Sequence, residues 1–467
     1  MASAALPFDA ATIELAGTLL VEASAGTGKT HAITLLVVRL VLEQGLEPSQ
    51  ILVMTFTEAA TAELRVRIRR QMHRALEIVS GRAGDVTATD PELVRICEKH
   101  ATPTGLDRLK RAIVGLDEAS ITTIHGFCLR VLQEHALRTG ARYGAELVKD
   151  LEELDEDIVY DFWHAYVADW PSVIELLPEN PLERLRVLLR ERRRFPEAPL
   201  VPDSTELEST DAKAGALLRF ETDFLRYAST ELDARKERQG IFGFDDLLER
   251  VQKALRGEGS DALTAVLRER FRAALVDEFQ DTDPVQWEIV ERVFVAGAVP
   301  LLLIGDPKQA IYGFRGADVF TYLAAAAGAR RVTMGVNWRS DPGLVAAVNR
   351  FFGAADAFIF KQIEPTVVVP RPGAKNLFHA PSASGSASVE LVLFEREQKS
   401  LTKGVAIQRV PRFVAAEIAR LLAEGATIEG RPVVAADIAV LTRDNKQCFL
   451  VQDALRARGV HSVVVSD

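Results

Sequence analysis

The stretch from Leu19 to Gln44 limits the fold more than any other part of the chain. Leu19–Glu22 is a short apolar run. Ala23-Ser24-Ala25-Gly26-Thr27-Gly28-Lys29-Thr30 follows it, and His31–Gln44 is apolar at helical spacing up to Gly45. Ile51–Thr55 then reads as a second buried strand and Glu58–Ile78 as a second helix. A strand, a glycine-bearing loop, a crossover helix and a strand form a βαβ unit. Such a unit packs only as a parallel sheet with helices laid on its faces. The expected fold class is therefore α/β.

The loop has its own chemistry. Gly26 and Gly28 let successive backbone N–H groups curl toward an anion, and the following helix N-terminus adds its dipole. Lys29 is placed to reach the β- and γ-phosphates of a nucleotide, and the Thr30 hydroxyl to ligate Mg²⁺. Ala23 stands where the strict phosphate-loop pattern has glycine, so the flanking strand and helix carry the reading. A glycine-rich turn without ligand is the bland alternative.

Two further strand ends support it. Ala274–Asp281 (ALVDEFQD) is an apolar run that ends in adjacent carboxylates. Ligands of parallel sheets collect at the carboxyl ends of strands. Asp277 there suits Mg²⁺, and Glu278 suits orienting or deprotonating a water. Leu301–Ile304 leads into Gly305-Asp306-Pro307-Lys308-Gln309, where the Gln309 amide can sense a γ-phosphate. The next residues, IYGFRGAD, interleave Tyr312 and Phe314 with Arg315, a pattern suited to stacking on unpaired bases. Phe56, just after a strand, is a similar candidate. For each aromatic, core packing is the competing reading. His125, in TIHGFC, suits either a phosphate contact or a satisfied turn.

Elsewhere the chain is less specific. Residues 127 to 262 are charged, amphipathic helix with prolines at 171, 178, 181, 196 and 199 expected as breaks, and no convincing strand. A strand is expected at Arg331–Gly335, ahead of Asn337-Trp338-Arg339-Ser340. The small-residue stretch 381–388 reads as a linker. Beyond it, strands are expected at 389–394, 438–442 and 462–465, with helices at 412–423 and 447–458. The 48% hydrophobic and 26% charged residues exclude general disorder, and no apolar run is long enough to span a membrane. The N-terminus lacks the basic-then-apolar pattern of a secretory leader. Three cysteines, far apart, exclude a disulfide framework and a zinc spacing, and point to a reducing, cytoplasmic setting. A net charge of −10 argues against coating duplex DNA by charge, but leaves room for a motor with a local groove. The arginine runs at 65–74 and 184–194 read first as solvated helix faces.

Taken together, VEASAGTGKT (21–30), TFTEAATAELR (55–65), TIHGFC (123–128), FDDLL (244–248), VDEFQDTDPVQW (276–287), IGDPKQAIYGFRGADVFTYL (304–323) and NWRS (337–340) resemble the UvrD/Rep-type group of superfamily 1 DNA helicases. Their wording favours the RecB branch over its AddA relatives. The resemblance implies a P-loop RecA-like motor domain in two segments, 1–126 and 262–330. A helical insertion at 127–261 interrupts it, and the start of a second RecA-like domain follows at 331–467. It implies ATP and Mg²⁺ as cofactors, 3′-to-5′ movement on single-stranded DNA, and action on tailed or blunt duplexes in double-strand-break repair. It also implies RecC-like and RecD-like partner subunits and no membrane. By motif, residues 23–30 cradle the phosphates, and Thr30 with Asp277 holds the metal. Lys29, Glu278, Gln309 and Arg339 serve hydrolysis, with Arg339 reaching the γ-phosphate. Trp338 falls at the adenine, and Phe56, His125, Tyr312 and Phe314 fall in DNA-contacting segments.

The sequence departs from the group's pattern in three ways. Leu15-Ala16-Gly17 stands where many relatives carry an adenine-reading glutamine. The group's two late motifs and a nuclease domain are absent, so the chain reads as the N-terminal portion of a longer helicase, with slow hydrolysis or none expected from it in isolation. The rival readings are a P-loop ATPase that is not a helicase and a catalytically incomplete DNA-binding or assembly subunit.

Overall fold

The computed structural model describes residues 6–82, 90–139, 146–148, 150–177, 179–194, 199, 212–297, 299–313, 317–354, 357–380, 388–394 and 402–465. The chain divides into two compact units: Met1–Ala23 with Lys29–Thr333, and Ser24–Gly28 with Met334–Asp467.

The first unit is built on strands β1 (Leu6–Pro7), β2 (Thr18–Ala23), β3 (Ile51–Thr55), β4 (Ser120–Thr123), β5 (Glu146–Leu147), β6 (Ile241–Phe242), β7 (Ala273–Val276), β8 (Leu301–Gly305) and β9 (Arg330–Met334). Seven of them form one parallel sheet in the order β1-β9-β2-β8-β7-β3-β4. All residues of β3, β7 and β8 are buried. That is why they read as unbroken apolar runs: a sheet covered on both faces leaves no polar side. The expected strands 19–22, 51–55 and 301–304 lie within ladders at those positions, and the helices Lys29–Gln44 and Glu58–Val79 follow as their spacing implied. Thr57 caps the second helix by accepting a hydrogen bond from the Ala60 amide.

Two of the apolar clusters among the described residues bear on the 127–261 stretch. In one, Leu52 and Met54 of the sheet pack with Phe127 and Cys128 of helix Ile124–Glu134 and with Leu247, Val251 and Leu255 of helix Phe244–Arg256. The other lies wholly among helices Glu152–Tyr166, Pro181–Arg194 and Ala212–Gln239 and the segments joining them, where Phe162 meets Phe220 and Phe224 at ring centroid distances of 5.4 and 5.1 Å. Helices at both margins of the 127–261 stretch thus bury their apolar faces on the sheet, while its middle has a core of its own.

That stretch also holds strand structure. β5 and β6 pair in parallel, a correction to the all-helical reading. Two residues are too few to show a period of two. Pro171 and Pro181 stand at breaks as expected, each opening a new helix after an earlier one has ended. Their missing N–H falls where a helix has no acceptor for it. Pro178 and Pro196 lie outside the described residues.

The second unit carries β10 (Val336–Asn337) paired in parallel with β11 (Val369–Pro370), and an antiparallel set of β12 (Phe378–His379), β13 (Thr427–Ile428) and β14 (Arg431–Pro432). Helices Lys403–Ala423 and Asn445–Arg456 pack through Ala415, Ile418, Val451 and Leu455. Here the expectations need correction. Among the described residues, 389–394, 438–442 and 462–465 join no ladder, and Leu393, Leu441 and Val463 are exposed. Hydropathy records a tendency, but a strand exists only where a neighbour takes its N–H and C=O groups. The helix expected from 412 begins at Lys403 and runs through Pro411. Residues 381–387 of the expected linker lie outside the described set.

Candidate active site

Parallel strands deliver their carboxyl ends to one edge of the sheet. In the first unit that edge receives Phe56 after β3, His125 after β4, Asp277 and Glu278 after β7, and Asp306 to Gln309 after β8. Lys29 opens the helix that follows the glycine loop. Its Nζ lies 2.5 Å from Glu278 Oε2, so residues 249 positions apart form an ion pair.

The carboxylate turn is closely held. The Asp277 amide donates to Met54 O at 2.9 Å, which ties the turn to β3. The Glu278 amide donates to Asp277 Oδ1, also at 2.9 Å. Glu278 has φ 49° and ψ 44°, left-handed values that a side chain adopts at a cost of roughly 1–3 kcal/mol. Gln280, only 2% exposed, donates from Nε2 to Glu278 Oε2 at 2.8 Å. Burial and the neighbouring Glu278 push the Asp277 carboxyl up to about 6, against the opposing pull of the Glu278 amide and Lys29. Burial and Glu278 do the same to Asp281, also to about 6. Asp281 is 6% exposed and its Oδ1 has no hydrogen-bond partner. The Lys29 ammonium, paired with Glu278, thus also acts electrostatically on Asp277 and Asp281.

Among the described residues no group of three or more acidic, histidine or cysteine side chains is arranged to hold a metal ion unaided. The Thr30 hydroxyl and the Asp277 carboxylate are both oxygen donors, the ligand type that suits Mg²⁺, an ion that completes its shell with waters and substrate phosphates.

After β8, Asp306 is buried and gathers its neighbours. Lys308 Nζ lies 2.7 Å from Asp306 Oδ1, and Gln309 Nε2 donates to Oδ2 at 2.8 Å. Tyr312 follows, its ring centroid 5.7 Å from that of Phe56 and tilted by 31°. His125 meets Phe244 edge-on at 5.8 Å. Phe314 lies outside the described residues.

Within the second unit, the loop Ser24–Gly28 contacts the NWRS segment. Thr27 Oγ1 donates to Ser24 O at 2.7 Å, which closes the loop on itself. Asn337 Nδ2 donates to Ala25 O at 3.0 Å, and the Trp338 amide to Gly26 O at 2.8 Å. Asn337 Oδ1 accepts from the Arg339 and Ser340 amides. Gly26 has φ +80°, and a Cβ there would lie 2.9 Å from the Arg339 Cβ and the Asn337 amide. Both the backbone and the close approach require glycine.

Asn337, Gln280, Asp281 and Asp306 were not singled out from sequence. Gln280 and Asp281 stand within the acidic motif, but a 3₁₀ turn has no periodicity that marks which residues turn inward. The arginine run at 65–74 proves largely structural: Arg65 donates to Ile121 O, Arg69 pairs with Asp117, and Arg74 with Asp90.

A seven-stranded parallel sheet with a glycine loop after one strand, and a lysine from that loop's helix on the acid after another, defines a RecA-like P-loop motor domain. Comparison with known proteins narrows this. The model of the UvrD/REP helicase N-terminal domain matches residues 8–329. The chain is 37% identical over 456 residues to the RecBCD enzyme subunit RecB of Mycolicibacterium smegmatis, covering 96% of this chain and 40% of that protein. It is 31% identical over 588 residues to the subunit of the same name from Escherichia coli, covering 100% of this chain and 49% of that protein. The chain belongs to the UvrD/REP helicase family. It spans less than half the length of these relatives.

Proposed function

We propose that this chain is the ATP-driven motor portion of a RecB-type helicase subunit, moving 3′-to-5′ on single-stranded DNA in double-strand-break repair. The observation that carries the proposal is the Lys29–Glu278 ion pair at the carboxyl edge of the sheet. It brings the phosphate-binding cation and the water-activating base to one point. In the resting protein each neutralises the other. A γ-phosphate recruits the ammonium and frees Glu278 for water.

In this reading residues 23–30 cradle the phosphates, and Thr30 and Asp277 hold Mg²⁺, which neutralises phosphate charge when bound. Gln309 senses the γ-phosphate. Arg339, beside Gly26, adds charge as the transferring group develops its own, and Trp338 lies against the adenine. Most of the rate gain is electrostatic positioning. Phe56 and Tyr312, whose rings already neighbour one another, form a platform for unpaired bases, with His125 and Phe314 as further contacts. The division into a motor domain at 1–126 and 262–330, an insertion at 127–261 and a second motor domain from 331 belongs to the same proposal. So do RecC-like and RecD-like partners, a cytoplasmic setting, and action on tailed or blunt duplexes.

The test is titration of the chain with a fluorescent ATP analogue and Mg²⁺, then hydrolysis with and without single-stranded DNA. Saturable, Mg²⁺-dependent binding is expected. Lys29→Ala removes a charge-assisted contact worth roughly 1.5–3 kcal/mol, a loss of about 10- to 100-fold in affinity. Equal binding by parent and variant would overturn the assignment. Strand displacement on a tailed duplex separates a helicase from another P-loop ATPase.

A further inference from the structure

Gln280 sits between the two strand ends that carry the proposed chemistry, and both halves of its amide are engaged. Nε2 donates to Glu278 Oε2 at 2.8 Å, the same oxygen that Lys29 approaches. Oε1 accepts from the backbone amide of Asp306 at 2.9 Å. The side chain therefore spans from the turn after β7 to the turn after β8.

The surroundings are shaped to hold it there. Gly305 is the last residue of β8, and a Cβ built on it would lie 2.8 Å from Gln280 Oε1 and 3.1 Å from the Gln280 amide nitrogen. Any side chain at 305 would push the amide off its bond. At the other end, Glu278 is held in a left-handed backbone conformation that needs outside support, and the Gln280 bond fixes its carboxylate. Asp306, whose amide takes Gln280, holds Gln309 and Lys308 through its side chain. Three residues after Gln309 comes Tyr312, beside Phe56. Nε2 also donates to Asp281 Oδ2 at 3.4 Å, and a buried amide so committed is costly to disturb on one side alone, because the freed partners are left unsatisfied.

We propose that Gln280 is a positioning residue that ties Glu278 to the Asp306–Tyr312 segment, so that nucleotide arrival at Lys29 and Glu278 is transmitted to the proposed base-stacking platform. When phosphate draws Lys29 from Glu278 Oε2, Gln280 keeps its hold on that oxygen. It therefore shifts with the carboxylate, and the Asp306 amide shifts with Gln280. Gln280 touches neither nucleotide nor DNA. The inference rests on the nucleotide-site reading above.

The test is hydrogen exchange on the 467-residue chain, with and without Mg²⁺ and a slowly hydrolysed ATP analogue. Gln280→Met keeps the volume and removes all three side-chain hydrogen bonds, to Glu278, to the Asp306 amide and, at 3.4 Å, to Asp281 Oδ2. In the parent, nucleotide is expected to change exchange in both 277–281 and 306–313. In Gln280→Met, nucleotide affinity should stay within about threefold, a change of at most roughly 0.7 kcal/mol. The change at 277–281 should persist, and the change at 306–313 should disappear. A purely structural role would alter exchange with and without nucleotide alike and leave the nucleotide-induced difference in place. Should Gln280→Met fail to fold, Gly305→Ala displaces the amide from the other side and is expected to give the same loss. A nucleotide-induced change at 306–313 that survives in either folded variant overturns the proposal. So does a parent that responds at 277–281 alone. A parent that binds no nucleotide defeats the nucleotide-site reading itself, and the two failures are therefore distinct.

Discussion

Asp277→Asn should make the nucleotide-free protein more stable at neutral pH and, on the proposed assignment, remove a ligand to Mg²⁺. Burial and the adjacent Glu278 raise the Asp277 carboxyl from its ordinary 3.8 to about 6. The folded state therefore binds a proton more tightly than the unfolded state does. Between these two values stability falls as pH rises, and above about 6 the full penalty is present. A gap of about two units, at 1.36 kcal/mol each, gives a penalty of roughly 3 kcal/mol near neutrality. Asparagine carries no charge, and its amide oxygen can still accept the Glu278 amide that Asp277 Oδ1 accepts at 2.9 Å. The assay is urea unfolding of parent and variant in chelator, without nucleotide, at about pH 7.5 and about pH 4.5. The variant should lead by roughly 2–3 kcal/mol at the higher pH, and by about 1 kcal/mol at the lower, where the folded parent is already protonated. An equal lead at both pH values, or none at the higher, would refute the reasoning. The site would then hold its ionised carboxylate at no cost in stability.

Other expectations follow from packing. Phe271, 2% exposed and edge-on to Phe127 at 5.9 Å, anchors the sheet-facing core, and Phe271→Ala should cost about 3–5 kcal/mol in chemical unfolding. Lys236, 6% exposed, pairs with Asp246 at 2.6 Å; Asp246→Ala strands a buried ammonium and should also cost about 3–5 kcal/mol, read the same way. Arg69 pairs at 2.7 Å with an Asp117 side chain that is 86% exposed, and Arg69→Ala should move the unfolding midpoint by no more than about 0.5 kcal/mol.

The sequence by itself determined the local units of the motor. Runs such as Ile51–Thr55 and Leu301–Ile304 are apolar throughout because both faces of their strands are covered, and a loop such as 23–30 marks itself by its glycines and by the helix behind it. That Asp277, Glu278 and Gln309 stand at strand ends was legible because each follows such a run. Elements read from hydropathy alone fared worse where pairing decided the outcome: 438–442 is apolar enough for a strand yet joins no ladder, and 146–147 and 241–242 pair without any pattern to announce it. Tertiary structure alone decided which polar groups meet. Lys29 and Glu278 are 249 residues apart and touch because β2 and β7 lie in one parallel sheet, each one strand from β8, with their carboxyl ends at the same edge. Gln280 reaches the Asp306 amide because β8 is the strand beside β7. Strand order is set by how helices pack across the sheet, over contacts hundreds of residues long, and a linear pattern of side chains holds no record of it.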